Sequence, residues 1–220
     1  MRRLTAFFSR FWTIATLVYV ASAILWLAPT SLNPAHRLLE GRNDATLTLT
    51  QWRGEAYLGQ NPWTARSNKM IAAPEGVPLP RSVNYLSPIE PAFNWTFRYV
   101  VGWVFAFNLY LFFGLVGSAL AFAFLMRRVG LSPPVALVGG YLFAFDPWMM
   151  AHARLGDDFQ PWILALLLAA CLGVSRRRTT VAAALVGLCV GVGFLTHPYM
   201  GLLAIFVAGV YLIYELVRLG

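Results

Sequence analysis

Apolar and polar positions separate along this chain into long blocks, with little of the stripe pattern of a soluble helix. Six apolar stretches stand out, at about Phe11–Pro29, Trp103–Met126, Pro133–Ala153, Pro161–Val174, Val181–Leu195 and Tyr199–Val217. A helix needs roughly 20 apolar residues to cross a hydrocarbon core of about 30 Å. Most of the stretches approach that length, and the short fourth one must borrow flanking residues. The pattern predicts an all-α polytopic membrane protein: a single transmembrane domain over 1–220 with about six transmembrane helices. Residues 30–99 form one long loop between the first two. Arg2 and Arg3 ahead of Phe11–Pro29 resemble the start of a signal peptide, but the run is long for one, so it reads as an uncleaved first span.

The long loop carries structure of its own. Asp44 is placed to cap a helix through about Tyr57, with Leu49, Trp52 and Ala56 on one apolar side. Gly59-Gln60-Asn61-Pro62 ends it. Such a helix lies on the membrane face with Trp and Leu in the interface. A Pro-rich stretch follows at 73–80. Trp95, Phe97, Tyr99 and Trp103 then form an aromatic belt at the head of the second span. Asn94-Trp95-Thr96 is a glycosylation sequon held against the membrane. Within the third span, Asp146-Pro147 reads as a helix restart, Asp capping and Pro in the first position. Gly187 with Gly191, and Gly114 with Ser118, have the spacing that lets membrane helices pack closely.

Charge fixes the orientation. Arg2, Arg3, Arg10, Arg127, Arg128, Arg176, Arg177, Arg178 and Arg218 all fall on one side of a six-span arrangement, where Glu215 is the only acid. The other side has eight basic and eight acidic residues, so the whole net charge of +8 lies on the first side. Basic residues mark the cytoplasmic side. The N-terminus is therefore cytoplasmic, the long loop is extracytoplasmic, and the charge gives no support for nucleic-acid binding. Composition agrees: 59% of residues are hydrophobic and 12% charged, against roughly a quarter charged in soluble domains. Cys171 and Cys189 lie in apolar stretches at different expected depths, without metal-ligand spacing, and read as packing residues.

No P-loop, GxGxxG, HExxH or GxSxG is present. What remains is a set of ionisable residues at the outer face: Asp44 and Arg42 in the long loop, His152, Arg154, Asp157 and Asp158 in the next outer loop, and His197 at the end of the fifth span. One carboxylate of such a set can take the proton of an acceptor hydroxyl as it attacks a sugar's anomeric carbon. A second can orient the acceptor or hold a divalent cation such as Mg or Mn. Arg and His can neutralise a departing phosphate. Each residue also has a plain structural reading. Asp44 is a helix cap, Asp157 and Asp158 favour a helix start, His197 ends a span, and Arg42 and Arg154 meet lipid headgroups.

Several segments together resemble the N-terminal part of bacterial GT-C type membrane glycosyltransferases. They are Gly41-Arg42-Asn43-Asp44, Gly59-Gln60-Asn61-Pro62-Trp63, Ala73-Pro74-Glu75-Gly76-Val77, the run Tyr141–Pro147, and Thr196-His197-Pro198-Tyr199. The resemblance implies a partial GT-C-like fold in the bacterial plasma membrane. It also implies a polyprenyl-phosphate-linked sugar donor, an acceptor in the cell envelope, an essential acid at Asp44 and a second at Asp157 or Asp158. Such enzymes have more spans than six, so the resemblance covers an N-terminal part, and the chain alone is expected to be inactive if it is a fragment. Asn43-Asp44 stands where many members have paired acids. The contrasting expectation is a membrane protein without catalysis, such as a transporter, a lipid-handling protein or an assembly subunit. The near absence of charge within the spans argues against ion coupling.

Overall fold

A computed structural model describes residues 2–28, 30–38, 59, 67–68, 77–78, 88–150, 160–177 and 179–219. The described residues are helical throughout, apart from turns and a two-residue antiparallel pair in which Ser67 faces Pro78 and Asn68 faces Val77. The long helices are α1 (Arg2–Trp26), α2 (Ile89–Val101), α3 (Trp103–Val129), α4 (Pro133–Ala144), α5 (Trp162–Arg177), α6 (Thr180–Thr196) and α7 (Pro198–Leu219). Six of these fall on the six apolar stretches.

Local chemistry sets most of the boundaries. Gly130 at φ 106° closes α3. Its N–H bonds the Arg127 carbonyl and that of Leu131 bonds Met126, the paired bonds of a Schellman end. Pro133 then opens α4 at a position where its missing N–H costs nothing. The Thr179 hydroxyl accepts from Ala182 N–H to cap α6. Asp146 Oδ1 accepts from the Trp148 and Met149 amides at 2.8 and 3.1 Å, so the cap-and-restart reading of Asp146-Pro147 holds.

The central helix is α3, which packs against α1, α2, α4 and α5. Phe11, Ala15, Tyr19 and Ala23 of α1 and Leu27 just after it are buried, as are Phe107, Leu111, Leu115, Ala119 and Ala123 of α3. Each set recurs every fourth residue, so each forms one ridge, and the alanines let the helices approach. Tyr19 Oη donates to the Leu137 carbonyl at 2.8 Å, tying α1 to α4. A second, smaller core of Leu167, Cys171 and Ala204 joins α5, α6 and α7. Cys189 packs against that same cluster. The two cysteines are thus neighbours, where different depths were expected, because α5 and α6 run side by side.

The basic helix ends meet. Arg127 sits over the Phe11 ring at 5.9 Å, and Arg176 Nη1 donates to the Arg128 carbonyl at 2.6 Å. Glu215 accepts from Ser175 Oγ at 2.5 Å and from Arg218 Nη2 at 2.7 Å. The N-terminal half of α1 and the C-terminal ends of α3, α5 and α7 therefore lie together. Among the described residues two helices, α3 and α7 up to Arg218, are long and apolar enough to cross a membrane. The shorter apolar helices are Arg10–Trp26, Pro133–Ala144, Trp162–Arg176 and Thr180–Thr196. Large apolar side chains stand exposed along α7, among them Leu202, Phe206, Val210, Ile213 and Val217.

Three expectations change. The 30–99 segment does not run as a loop up to Tyr99, because Ile89–Val101 is a helix. Trp95, Phe97 and Tyr99 belong to it, on a separate helix from Trp103 because the chain breaks at Gly102 at φ 80°, although the Trp95 and Trp103 rings still meet edge to face at 5.5 Å. Asn94 of the sequon is fully buried, and its Nδ2 donates to the Glu90 carbonyl, so its amide is not presented for modification in this fold. Gly187 and Gly191 face open space, whereas Gly114 and Ser118 are packed. The same spacing has opposite fates because a neighbour covers α3 on that side, whereas none of the described residues covers the Gly187 and Gly191 side of α6. The proposed surface helix from Asp44 to Tyr57 lies outside the described residues.

Candidate functional site: a groove along the central helix

One face of α3 carries Tyr110, Phe113, Gly114, Gly117, Leu120, Ala121 and Phe124. Their spacing of three and four residues puts them in line along the helix. This face is the floor of a cavity of about 480 Å³. Ile89 and Phe93 of α2 wall one end of it, Gln160, Trp162 and Leu166 line the α5 side, and Thr196 closes α6. From Tyr110 to Phe124 the floor runs about 21 Å at 1.5 Å per residue. Glycine explains its depth. A Cβ at Gly117 would meet nothing closer than Trp162 Cδ1 at 3.9 Å.

Polar groups collect at one end. Gln160 is almost fully buried and lies over Gly114, where a Cβ would come within 2.6 Å of its Oε1. Trp162 Nε1 donates to Gln160 Oε1 at 2.8 Å and holds the amide in place. The Tyr110 side chain is 6% exposed. Its hydroxyl lies beside the Gln160 amide yet makes no hydrogen bond of proper distance and angle. Thr196, also buried, spends its hydroxyl on the Val192 carbonyl of its own helix. The rest of the lining is apolar. The geometry suits a long, narrow, apolar chain bearing an oxygen near one end.

A smaller cavity of about 200 Å³ lies between α1 and α3. Its one amide, Asn108, donates to the Pro34 and Arg37 carbonyls at 2.8 and 2.7 Å. Those bonds fasten the chain after α1 to the Trp103 half of α3. Thr30 Oγ1 donates to the Leu38 carbonyl at 3.2 Å in the same region.

Of the residues singled out from sequence, Asp44, Arg42, His152, Arg154, Asp157 and Asp158 lie outside the described residues. His197 is described. It separates α6 from α7 in extended conformation, its N–H donating to the Gly193 carbonyl and its Nδ1 accepting from Tyr199 N–H at 3.2 Å. It follows Thr196 directly, but it is not among the residues that line the groove, and its ring lies against Tyr199. Among the described residues no group of three or more His, Cys, Asp or Glu is arranged to hold a metal ion.

Sequence reasoning missed Tyr110, Gln160 and Glu90. Glu90 had counted only as an outer charge, but it is 3% exposed in the first turn of α2, next to Ile89 of the groove wall. Arg98 was likewise only a charge. Its guanidinium lies 3.5 Å from the Trp95 ring, 4.2 Å from Tyr99 and 4.8 Å from Trp103, a cation–π cage that joins α2 to the start of α3. The one sequence signal for the groove was Gly114 and Gly117 on the same face as Tyr110.

The chain matches no protein-family model, no curated protein and no solved structure.

Proposed function

We propose that this chain is a multi-pass membrane protein of the GT-C glycosyltransferase type, or part of one. It transfers a sugar from a polyprenyl-phosphate-linked donor to an acceptor outside the cytoplasm. The observation that carries this reading is the groove along α3, long and apolar for most of its length and polar at one end. Helices α1 and α3 to α7 are the six spans, and α2 lies at the outer interface. The basic end of the bundle, where Arg127, Arg128, Arg176 and Arg218 gather, faces the cytoplasm. The polar end of the groove then opens outward, on the side of both long-loop and second-loop acids.

In this reading Asp44 is the general base. Its carboxylate takes the proton of an acceptor hydroxyl while the hydroxyl oxygen bonds the anomeric carbon. The bond from that carbon to the phosphate oxygen breaks, and the lipid phosphate leaves with the electron pair. Attack opposite the leaving group inverts the anomeric centre. Arg42, His152, Arg154 and His197 offset the charge on the departing phosphate, and Asp157 and Asp158 orient the acceptor.

The test is transfer of labelled sugar in membranes carrying the wild type, Asp44→Asn or the double variant Asp157→Asn/Asp158→Asn. Loss of a proton-accepting carboxylate should lower the rate by about 100-fold or more. Undiminished transfer in both variants would remove the catalytic assignment. Wild-type membranes without transfer would favour a non-catalytic lipid-handling protein.

A further inference from the structure

The strongest unexplained feature is the Tyr110 hydroxyl. A buried hydroxyl without a partner is costly, and most buried polar side-chain atoms in native folds are satisfied. This one belongs to a residue that lines a cavity, and the amide beside it is already steered by Trp162. It sits at a defined height. Gln160 precedes α5 and Thr196 ends α6, so the pair marks where those helices stop, while α3 continues for seven residues beyond Tyr110 to Trp103. That is about 10 Å of further helix, screened by Ile89 and Phe93. Below this level the groove floor from Gly114 to Phe124 extends about 15 Å and carries no polar side chain.

We infer that Tyr110 and Gln160 form a polar collar that binds the first oxygen of a single-chain lipid, whose tail lies along Gly114, Gly117 and Phe124. This rests on the lipid-linked-donor reading and adds to it the residues that set the depth of the ligand. Tyr110 donates its hydroxyl proton to the ester or phosphate oxygen that joins head to tail, and the Gln160 amide provides a second donor. The groove has one lane, so a lipid with two chains does not fit it. Tyr110 is a binding and positioning residue with no part in bond making.

Binding to the purified full chain in detergent tests this, using four probes: a polyprenyl monophosphate, the neutral polyprenol, the hydrocarbon squalene and a diacyl phosphatidic acid. Tyr110→Phe removes one oxygen atom and keeps the ring. It should weaken the monophosphate and the polyprenol about ten-fold, as for one hydrogen bond in a dry site, and leave squalene unchanged. Gly117→Leu, whose Cβ has room, should fill the groove and weaken all three single-chain probes. Wild-type affinity of Tyr110→Phe for the monophosphate would overturn the collar. Phosphatidic acid binding as tightly as the monophosphate would overturn the single-chain assignment. The assay needs no turnover, so a wild type that binds lipid but transfers no sugar defeats the transferase reading and leaves the collar standing.

Discussion

A methyl group added at Gly140 would run into the Tyr19 hydroxyl and the Ala119 backbone carbonyl, where α4 packs tightly on α1 and α3. The same methyl group at Gly187 would meet nothing. The pair makes a controlled comparison. Gly140→Ala should destabilise the protein by about 1–3 kcal/mol through overpacking. Gly187→Ala should be neutral or stabilising by up to about 1 kcal/mol, since alanine is the better helix former. Reversible unfolding in mixed micelles measures both, and a large loss at Gly187 would mean that another helix covers that face. At this scale the sequence was legible at Asp146, whose capping chemistry is local and is signalled by Pro147 beside it. It was not legible for Gly114 and Gly187, because spacing alone cannot say which glycine meets a neighbour.

At the scale of elements, the apolar stretches located six helices, since burying or embedding a continuous apolar run leaves few alternatives to a helix. Even so, α1 already starts at Arg2 and α4 ends at Ala144, before the Asp146 cap. The missed element was α2. Its aromatic residues Phe93, Trp95, Phe97 and Tyr99 alternate, which hides the helical repeat, yet Phe93 and Phe97 stack at 4.4 Å on one side of it. The break that frees α2 from α3 is Gly102, at φ 80° and ψ 165°, a region open almost only to glycine. Gly102→Ala should therefore cost about 1–3 kcal/mol and disturb the Arg98 cage between Trp95 and Trp103. Loss of the tryptophan near-ultraviolet circular dichroism band together with stability would report both effects. An unchanged spectrum and stability would mean that the break does not depend on the glycine conformation.

On the scale of the whole molecule, the packing gathers at one end of the helices residues that the charge pattern assigns to one side. The sequence places the basic residues on one side; the packing brings Phe11, Arg127, Arg128, Arg176 and Glu215 to one end. The groove was not legible beforehand. Its floor is one apolar face of α3 among several, and only the position of α5 and α2 over Gly114 and Gly117 turns that face into a cavity. The acids proposed for catalysis came from sequence alone, and the groove is where we propose the lipid tail of their substrate lies. The most direct measurement is sugar transfer in sealed right-side-out vesicles supplied with a labelled polyprenyl-phosphate sugar in their membrane and an acceptor outside. The account predicts labelled product on the outer face with the wild type and at least about 100-fold less with Asp44→Asn. Product no greater than in vesicles lacking the protein, or transfer that survives Asp44→Asn, would contradict it.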